Sequence, residues 1–284
     1  MRSQRKWRAG AGSGSQRVRS TVVRLHLYDE MFANYFSFIP RLLPARMLTH
    51  SFLILGFLLS NAVAPASGAE KITAAASPEV IVIGFVGGFV RRNDAIHQEV
   101  QIAARLRKQY PTRMQVKIFE NRQGRQAHRE VLDMLDADRD GELSDREIRT
   151  ARIVIYGHSW GASEGITLAR TLGQDRIPVL LTIQVDSVTK FGEDDRWIPA
   201  NVEQAVNFYQ LNGLLHGRRE IQAADGSRTE ILGNYRVDYK TRRVSCDGFP
   251  WYAQMFMSPH IKIECDPSVW GQVESLIRSK LPSD

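Results

Sequence analysis

The sequence predicts an α/β protein built on a mostly parallel, doubly wound sheet with helices on both faces. Three observations lead there. From residue 78 onward, short apolar runs rich in β-branched residues alternate with amphipathic segments, the order that βαβ units produce. Two of these runs, 80–86 and 179–185, are apolar along their whole length, as strands buried on both faces are. A third run, Ile153-Val154-Ile155-Tyr156, leads straight into Gly157-His158-Ser159-Trp160-Gly161, and a helix-forming segment follows at once.

Taken in order, residues 80–86 read as a buried strand. Residues 95–108 read as a helix with Ile96, Val100, Ala103, Ala104 and Leu106 on one side. A strand at 116–119 and a helix at 127–135 precede the strand that reaches Gly157, and the helix after it spans 162–172. The strand 179–185 comes next, then a predicted helix over 201–211. Beyond it the pattern weakens into strands at 220–222 and 229–239, joined by an Asp225-Gly226 turn. Asp266-Pro267 opens a C-terminal helix, with an acid at the N-cap and Pro at the first helical position. The region 78–284 suits one domain, and no internal repeat is visible.

The net charge of +7 is unevenly placed. Residues 1–46 carry nine basic side chains against Asp29 and Glu30, and from residue 47 onward basic and acidic residues cancel. A neutral folded part gives no basis for nucleic-acid binding. The basic stretch reads as a disordered leader, and translation starting at Met31 or Met47 would exclude its first 30 residues or all of it. Residues 47–69 combine Arg41 and Arg46 upstream, a short apolar core at 52–59 and the small residues Ser67-Gly68-Ala69, the composition of an export signal cut after Ala69. The core falls short of the roughly 20 apolar residues that span a bilayer. The alternative is an uncleaved N-terminal anchor on a membrane. The expected location is therefore periplasmic or secreted.

Export changes how the only cysteines, Cys246 and Cys265, are read. In an oxidising compartment they can form one disulfide, worth roughly 3 kcal/mol; the alternative is two buried thiols. No stretch has zinc-ligand spacing.

A second motif lies just before the Ile153 strand: Asp136-Ala-Asp138-Arg-Asp140-Gly141-Glu142-Leu143-Ser144-Asp145-Arg146-Glu147. It resembles the twelve-residue EF-hand calcium loop. Side-chain oxygens stand at positions 1, 3 and 5 (Asp136, Asp138, Asp140), a backbone carbonyl at 7 (Glu142), Ser144 at 9 and Glu147 at 12, with Gly141 at the sharp turn. The exiting helix has room only for 147–151, and no second such loop is present, so the resemblance covers the loop and the entering helix. A groove-opening switch is not expected. The loop enters the N-terminal end of the strand whose C-terminal end carries Ser159, about 15 Å away at about 3.3 Å per residue. That separation implies one structural calcium ion, remote from Ser159.

The strand–G-x-S-x-G–helix order is what a nucleophile elbow requires: Gly157 and Gly161 leave room for a strained serine, and the helix N-terminus favours a developing oxyanion. Here the chain resembles the α/β-hydrolase superfamily of serine lipases, esterases and thioesterases. The resemblance implies a nucleophile, an acid and a histidine, in that order, each following a strand. Ser159, Asp186 at the end of 179–185, and His260 match it, with Asp225, Asp238 and Asp247 as reserve acids and His216 as a reserve base. It also implies an oxyanion hole from the Trp160 N–H and one from Gly87 or Gly88; the core departs from the family in lacking its first two strands. A strand at 261–264 would put His260 before an edge strand. His158 reads as packing. Phe249, Trp251, Tyr252, Met255, Phe256 and Met257 are candidates for an acyl-binding cleft or small lid. The expected activity is an exported, calcium-binding serine hydrolase acting on a small-molecule acyl ester or thioester. The competing expectation is a non-catalytic calcium-binding protein on the same scaffold.

Overall fold

The computed structural model describes residues 79–283. The leader, the 47–69 segment and its cleavage site lie outside the described residues. Six strands form one sheet: β1 (Val80–Val86), β2 (Met114–Glu120), β3 (Ile153–His158), β4 (Val179–Val185), β6 (Val202–Tyr209) and β8 (Glu230–Arg236). Their spatial order is β2-β1-β3-β4-β6-β8, and every neighbouring pair is parallel. Two short strands, β5 (Trp197–Ile198) and β7 (Gln222–Ala223), pair with each other in a separate ribbon.

The apolar runs alternate between two cores. Val80, Val82 and Val86 face the layer holding α1 (Gln98–Gln109) and α7 (Pro267–Arg278), where Ile102, Leu106, Trp270, Val273 and Ile277 are buried. Ile81, Ile83 and Phe85 face α2 (Gly124–Leu135) and α4 (Trp160–Gln174), against Val131, Ile166, Leu168 and Leu172. With helices on both sides, β1, β3 and β4 are buried at every position, which is why those segments read as unbroken apolar runs. This is a doubly wound parallel sheet with helices on both faces.

The structure corrects three expectations. Within 201–211 the chain forms β6, Val202–Tyr209, not a helix. Val202, Ala205 and Val206 have helical spacing, and Glu203, Gln204 and Asn207 dilute a strand pattern, but the segment fills the gap between β4 and β8. There the polar side chains find partners: Asn207 Nδ2 donates to Arg218 O at 2.9 Å and to Asn234 Oδ1 at 3.1 Å. The 220–222 and 229–239 segments do not make a hairpin. The Asp225 turn exists, with Thr229 N donating to Asp225 O at 3.0 Å, but the chain carries β7 to β5 and β8 to β6. Finally, residues 261–264 lie in a helix, α6 (Ser258–Cys265), preceded by α5 (Trp251–Phe256).

The C-terminal helix starts where its cap predicts. Asp266 accepts from Ser268 N at 2.9 Å, and Pro267 occupies the first turn. Asp266 also accepts from Tyr239 Oη at 2.8 Å and Arg242 at 2.9 Å, tying the segment after β8 to that cap. Cys246 and Cys265 form a disulfide with a Cα–Cα distance of 5.4 Å, clamping the same segment to the end of α6. No described helix is long and apolar enough to cross a membrane.

Candidate active site

Ser159 sits between β3 and α4 with φ 56° and ψ −126°, a conformation that non-glycine residues rarely adopt. The two glycines of the motif make it possible. A Cβ on Gly161 would lie 2.3 Å from Phe85 O, and one on Gly157 would lie 2.6 Å from the Gly161 carbonyl carbon. The turn is held from below by Ser159 N donating to Val185 O at 3.0 Å and Val188 N donating to Ser159 O at 3.3 Å. Those bonds connect the serine directly to the end of β4, where Asp186 follows.

Asp186 is fully buried and also strained, with φ 43°. Its carboxylate accepts four hydrogen bonds. Oδ1 takes Gln210 N at 3.1 Å and Gly217 N at 2.7 Å; Oδ2 takes Gln210 Nε2 at 2.8 Å and His260 Nδ1–H at 2.7 Å. Burial works to raise its pKa, but the bonds and charge of His260 and the bonds from Gln210 outweigh it, so the carboxyl stays below its ordinary value. An ionised Asp186 thus fixes the His260 tautomer with the proton on Nδ1 and the lone pair on Nε2.

His260 is 4% exposed, at the start of α6. Its ring packs on that of His158, with centroids 4.5 Å apart. His158, the residue before Ser159, is therefore more than elbow packing. Burial pushes its pKa down to about 4, so it is neutral near pH 7. Asp186 bonds His260, His260 packs on His158, and the Ser159 backbone is bonded to Val185 and Val188 on either side of Asp186. Of the reserve groups, Asp225 and Asp238 serve surface turns at Ser227 and Lys240; His216 adjoins Gly217, which bonds Asp186, but its Nδ1 faces Gly217 O at 3.0 Å.

The two glycines expected to complete an oxyanion hole lie in the loop after β1. A Cβ on Gly87 would be 3.0 Å from Ser159 Cβ, so its backbone borders the serine. Gly88 has φ +46°, and Asn121 Nδ2 donates to its carbonyl. Phe89 follows and meets the Trp160 ring at 5.5 Å, edge to face. The aromatic segment before His260 divides. Phe249, Tyr252 and Met257 pack against Cys246, Ala253 and Ile261, whereas Trp251, Met255 and Phe256 are exposed on α5. Phe191 and Leu214, on loops after β4 and β6, are exposed too.

The acidic loop occupies residues 136–147, leading into α3 (Asp145–Thr150). Carboxylate oxygens of Asp136, Asp138 and Glu147 lie within 4.8 Å of one another. Gly141 takes φ 88°, and its N–H donates to Asp136 Oδ2 at 3.0 Å; Asp140 Oδ1 accepts from Glu142 N at 2.9 Å. Glu147 and Ser144 form a capping box at the start of α3, with Ser144 Oγ 2.7 Å from Glu147 Oε2. A cavity of about 290 Å³ beside Glu147 and Ala137 lies at this end of the sheet, away from Ser159.

No protein-family model and no curated protein matches the chain. Solved structures do. One, described as a hydrolase of the alpha/beta superfamily from Xanthomonas campestris pv. campestris, is 15% identical with a TM-score of 0.35, covering 71% of this chain and 99% of its own. A second, described as a YdeN-like hydrolase from Pectobacterium atrosepticum, is 14% identical with a TM-score of 0.32, covering 72% and 94%. An acetylxylan esterase is 10% identical with a TM-score of 0.35, covering 72% and 99%.

Proposed function

We propose that the protein is a serine hydrolase cleaving an ester or thioester through an acyl-enzyme on Ser159. The observation that carries this reading is the Asp186–His260 hydrogen bond, 2.7 Å long, made by a carboxylate with all other bonds filled, beside a serine strained into an elbow. On this reading His260 Nε2 takes the Ser159 proton as Oγ attacks the acyl carbon. Trp160 N–H and Gly87 or Gly88 N–H receive the oxyanion. The leaving alcohol or thiol departs with the proton from His260. Water then attacks the acyl-enzyme, giving its proton to His260, and Ser159 leaves with that proton as the acid is released. The exposed apolar residues on the loops after β1, β4 and β6 and on α5 favour a lipophilic acyl group.

Loop 136–147 supports a structural calcium ion. Its donors are all oxygens, three carboxylates already converge, and Gly141 takes the required turn. Asp136, Asp138, Asp140, the Glu142 carbonyl, Ser144 and Glu147 would hold the ion, which would cross-link the end of α2 to α3. We also read the chain as exported, on the composition of residues 47–69, with which the Cys246–Cys265 disulfide agrees; mass analysis of the mature N-terminus tests this.

A fluorophosphonate probe tests the activity. Stoichiometric labelling that disappears in Ser159→Ala is the expected result. A folded, unlabelled wild type would favour the non-catalytic calcium-binding alternative.

A further inference from the structure

Behind His260 lies a group of side chains that the proposed reaction does not use. His97 caps the start of α1, Glu99 stands in its first turn, His158 ends β3, and Glu264 lies one turn beyond His260 on α6. They are 7%, 0%, 3% and 3% exposed. His97 Nδ1 contacts Glu264 Oε1, and Glu264 Oε2 is 3.5 Å from His158 Nδ1. Donor atoms of His97, Glu99 and Glu264 all lie within 4.8 Å of one another.

Glu99 is the anomaly. Both of its carboxylate oxygens are buried without a hydrogen-bond partner, apart from a weak approach to its own backbone. Among the described residues no lysine or arginine pairs with Glu99 or Glu264; Glu264 meets His97 and, at 3.5 Å, the neutral His158 ring. Two carboxylates in an apolar interior with one shared cation are costly, and burial with the nearby Glu264 charge pushes Glu99 up to about 8. Such a site calls for either a proton or a cation.

We propose that His97, Glu99 and Glu264, with His158 as the fourth donor, form a buried site for one divalent transition-metal ion of the zinc class. Two neutral imidazoles and two carboxylates neutralise a 2+ charge and offer the mixed nitrogen and oxygen donors that zinc accepts. Tetrahedral donors at bonds of about 2.0–2.1 Å stand roughly 3.3 Å apart; the donor atoms of His97, Glu99 and Glu264 lie within 4.8 Å of one another, and His158 Nδ1 is 3.5 Å from Glu264 Oε2. The far nitrogen of His97, Nε2, faces Asp94 Oδ2 at 3.9 Å, where a metal-bound imidazole commonly finds an orienting carboxylate. The ligands come from three separated elements, which is why no local spacing announces them. The ion would fix the His158 ring on which His260 packs.

The test uses the full chain stripped with chelator, then given zinc chloride alone or cobalt chloride alone. Zinc content is measured by elemental analysis, affinity by chelator competition, and cobalt coordination by its visible spectrum. One zinc per chain is expected, retained in Asp136→Asn/Asp138→Asn. Glu99→Gln, nearly isosteric, should weaken it by more than the roughly 10–100-fold typical of residues that only orient a ligand. His97→Ala should abolish it, with circular dichroism checking the fold. No zinc bound by wild type overturns the proposal. So does binding unchanged in Glu99→Gln, or lost only in the loop variant. None of these readouts depends on hydrolysis.

Discussion

Replacing Asp186 with Asn changes one atom and tests the whole arrangement around it. Oδ1 accepts from two backbone amides, Gln210 N and Gly217 N, which cannot reverse. The new NH2 group must therefore stand where Oδ2 was, facing Gln210 Nε2 and His260 Nδ1. Gln210 cannot turn its amide to help, because Nε2 also donates to Leu215 O at 2.9 Å and Oε1 accepts from Asn212 N at 2.8 Å. His260 can adapt, by moving its proton to Nε2 and accepting at Nδ1. That removes the lone pair that the proposed base needs. The expected loss is about 10⁴-fold in kcat, the size seen when a triad histidine is held in the wrong tautomer. The remaining conflict with Gln210 costs about 1–3 kcal/mol of stability. Both are measurable: the rate constant for fluorophosphonate labelling, and the urea midpoint followed by tryptophan fluorescence. The pH dependence should change with them. Because the folded pKa of Asp186 lies below its ordinary 3.8, its ionised form stabilises the wild type above about pH 4, and that contribution fades as pH falls through the lower folded value. Asp186→Asn should lose this part of the acid limb. Labelling within tenfold of wild type, or an unchanged urea midpoint, would refute the reasoning.

Other outcomes follow from the same geometry. Gly161→Ala puts a methyl 2.3 Å from Phe85 O and should destabilise the protein by about 3 kcal/mol or more, read by denaturant titration; a loss under 1 kcal/mol would mean that the elbow is not tight. Calcium at about 1 mM should add about 1.4 kcal/mol if its dissociation constant is near 10⁻⁴ M, a rise in Tm of roughly 3–6 °C that Asp136→Asn abolishes. Absence of any shift with calcium or chelator counts against the loop. Reducing the Cys246–Cys265 bond, which spans a sequence separation of 19, should cost about 3 kcal/mol, seen as a lower Tm in reductant. An unchanged Tm would assign the clamp to Asp266 and its partners instead.

Much of the architecture was legible because burial on both faces writes itself into composition. Strand 80–86 and strand 179–185 match their predicted bounds, and the Asp266-Pro267 start of the last helix is a local device that reads the same in sequence and structure. The elbow was legible for a steric reason, since only glycine fits at 157 and 161. Residues 201–211 misled because three apolar positions at helical spacing also suit a strand whose polar residues are satisfied by a neighbouring loop. No local pattern could have chosen between the two. His158 was read as packing since its meaning depends on His260 and Glu264, over a hundred residues away in sequence.

By itself the sequence determined the parallel α/β class, the strained turn at Ser159 and the oxygen-rich loop at 136–147. These depend on neighbours within a dozen residues, where sterics and periodicity act directly. Tertiary structure alone decided that Asp186 meets His260 and that β6 fills the sheet between β4 and β8. It also decided that His97, Glu99 and Glu264 converge in the interior, with His158 against Glu264. Such pairings arise when distant elements are packed against the same sheet, and loop closure leaves no local trace of which side chains will meet.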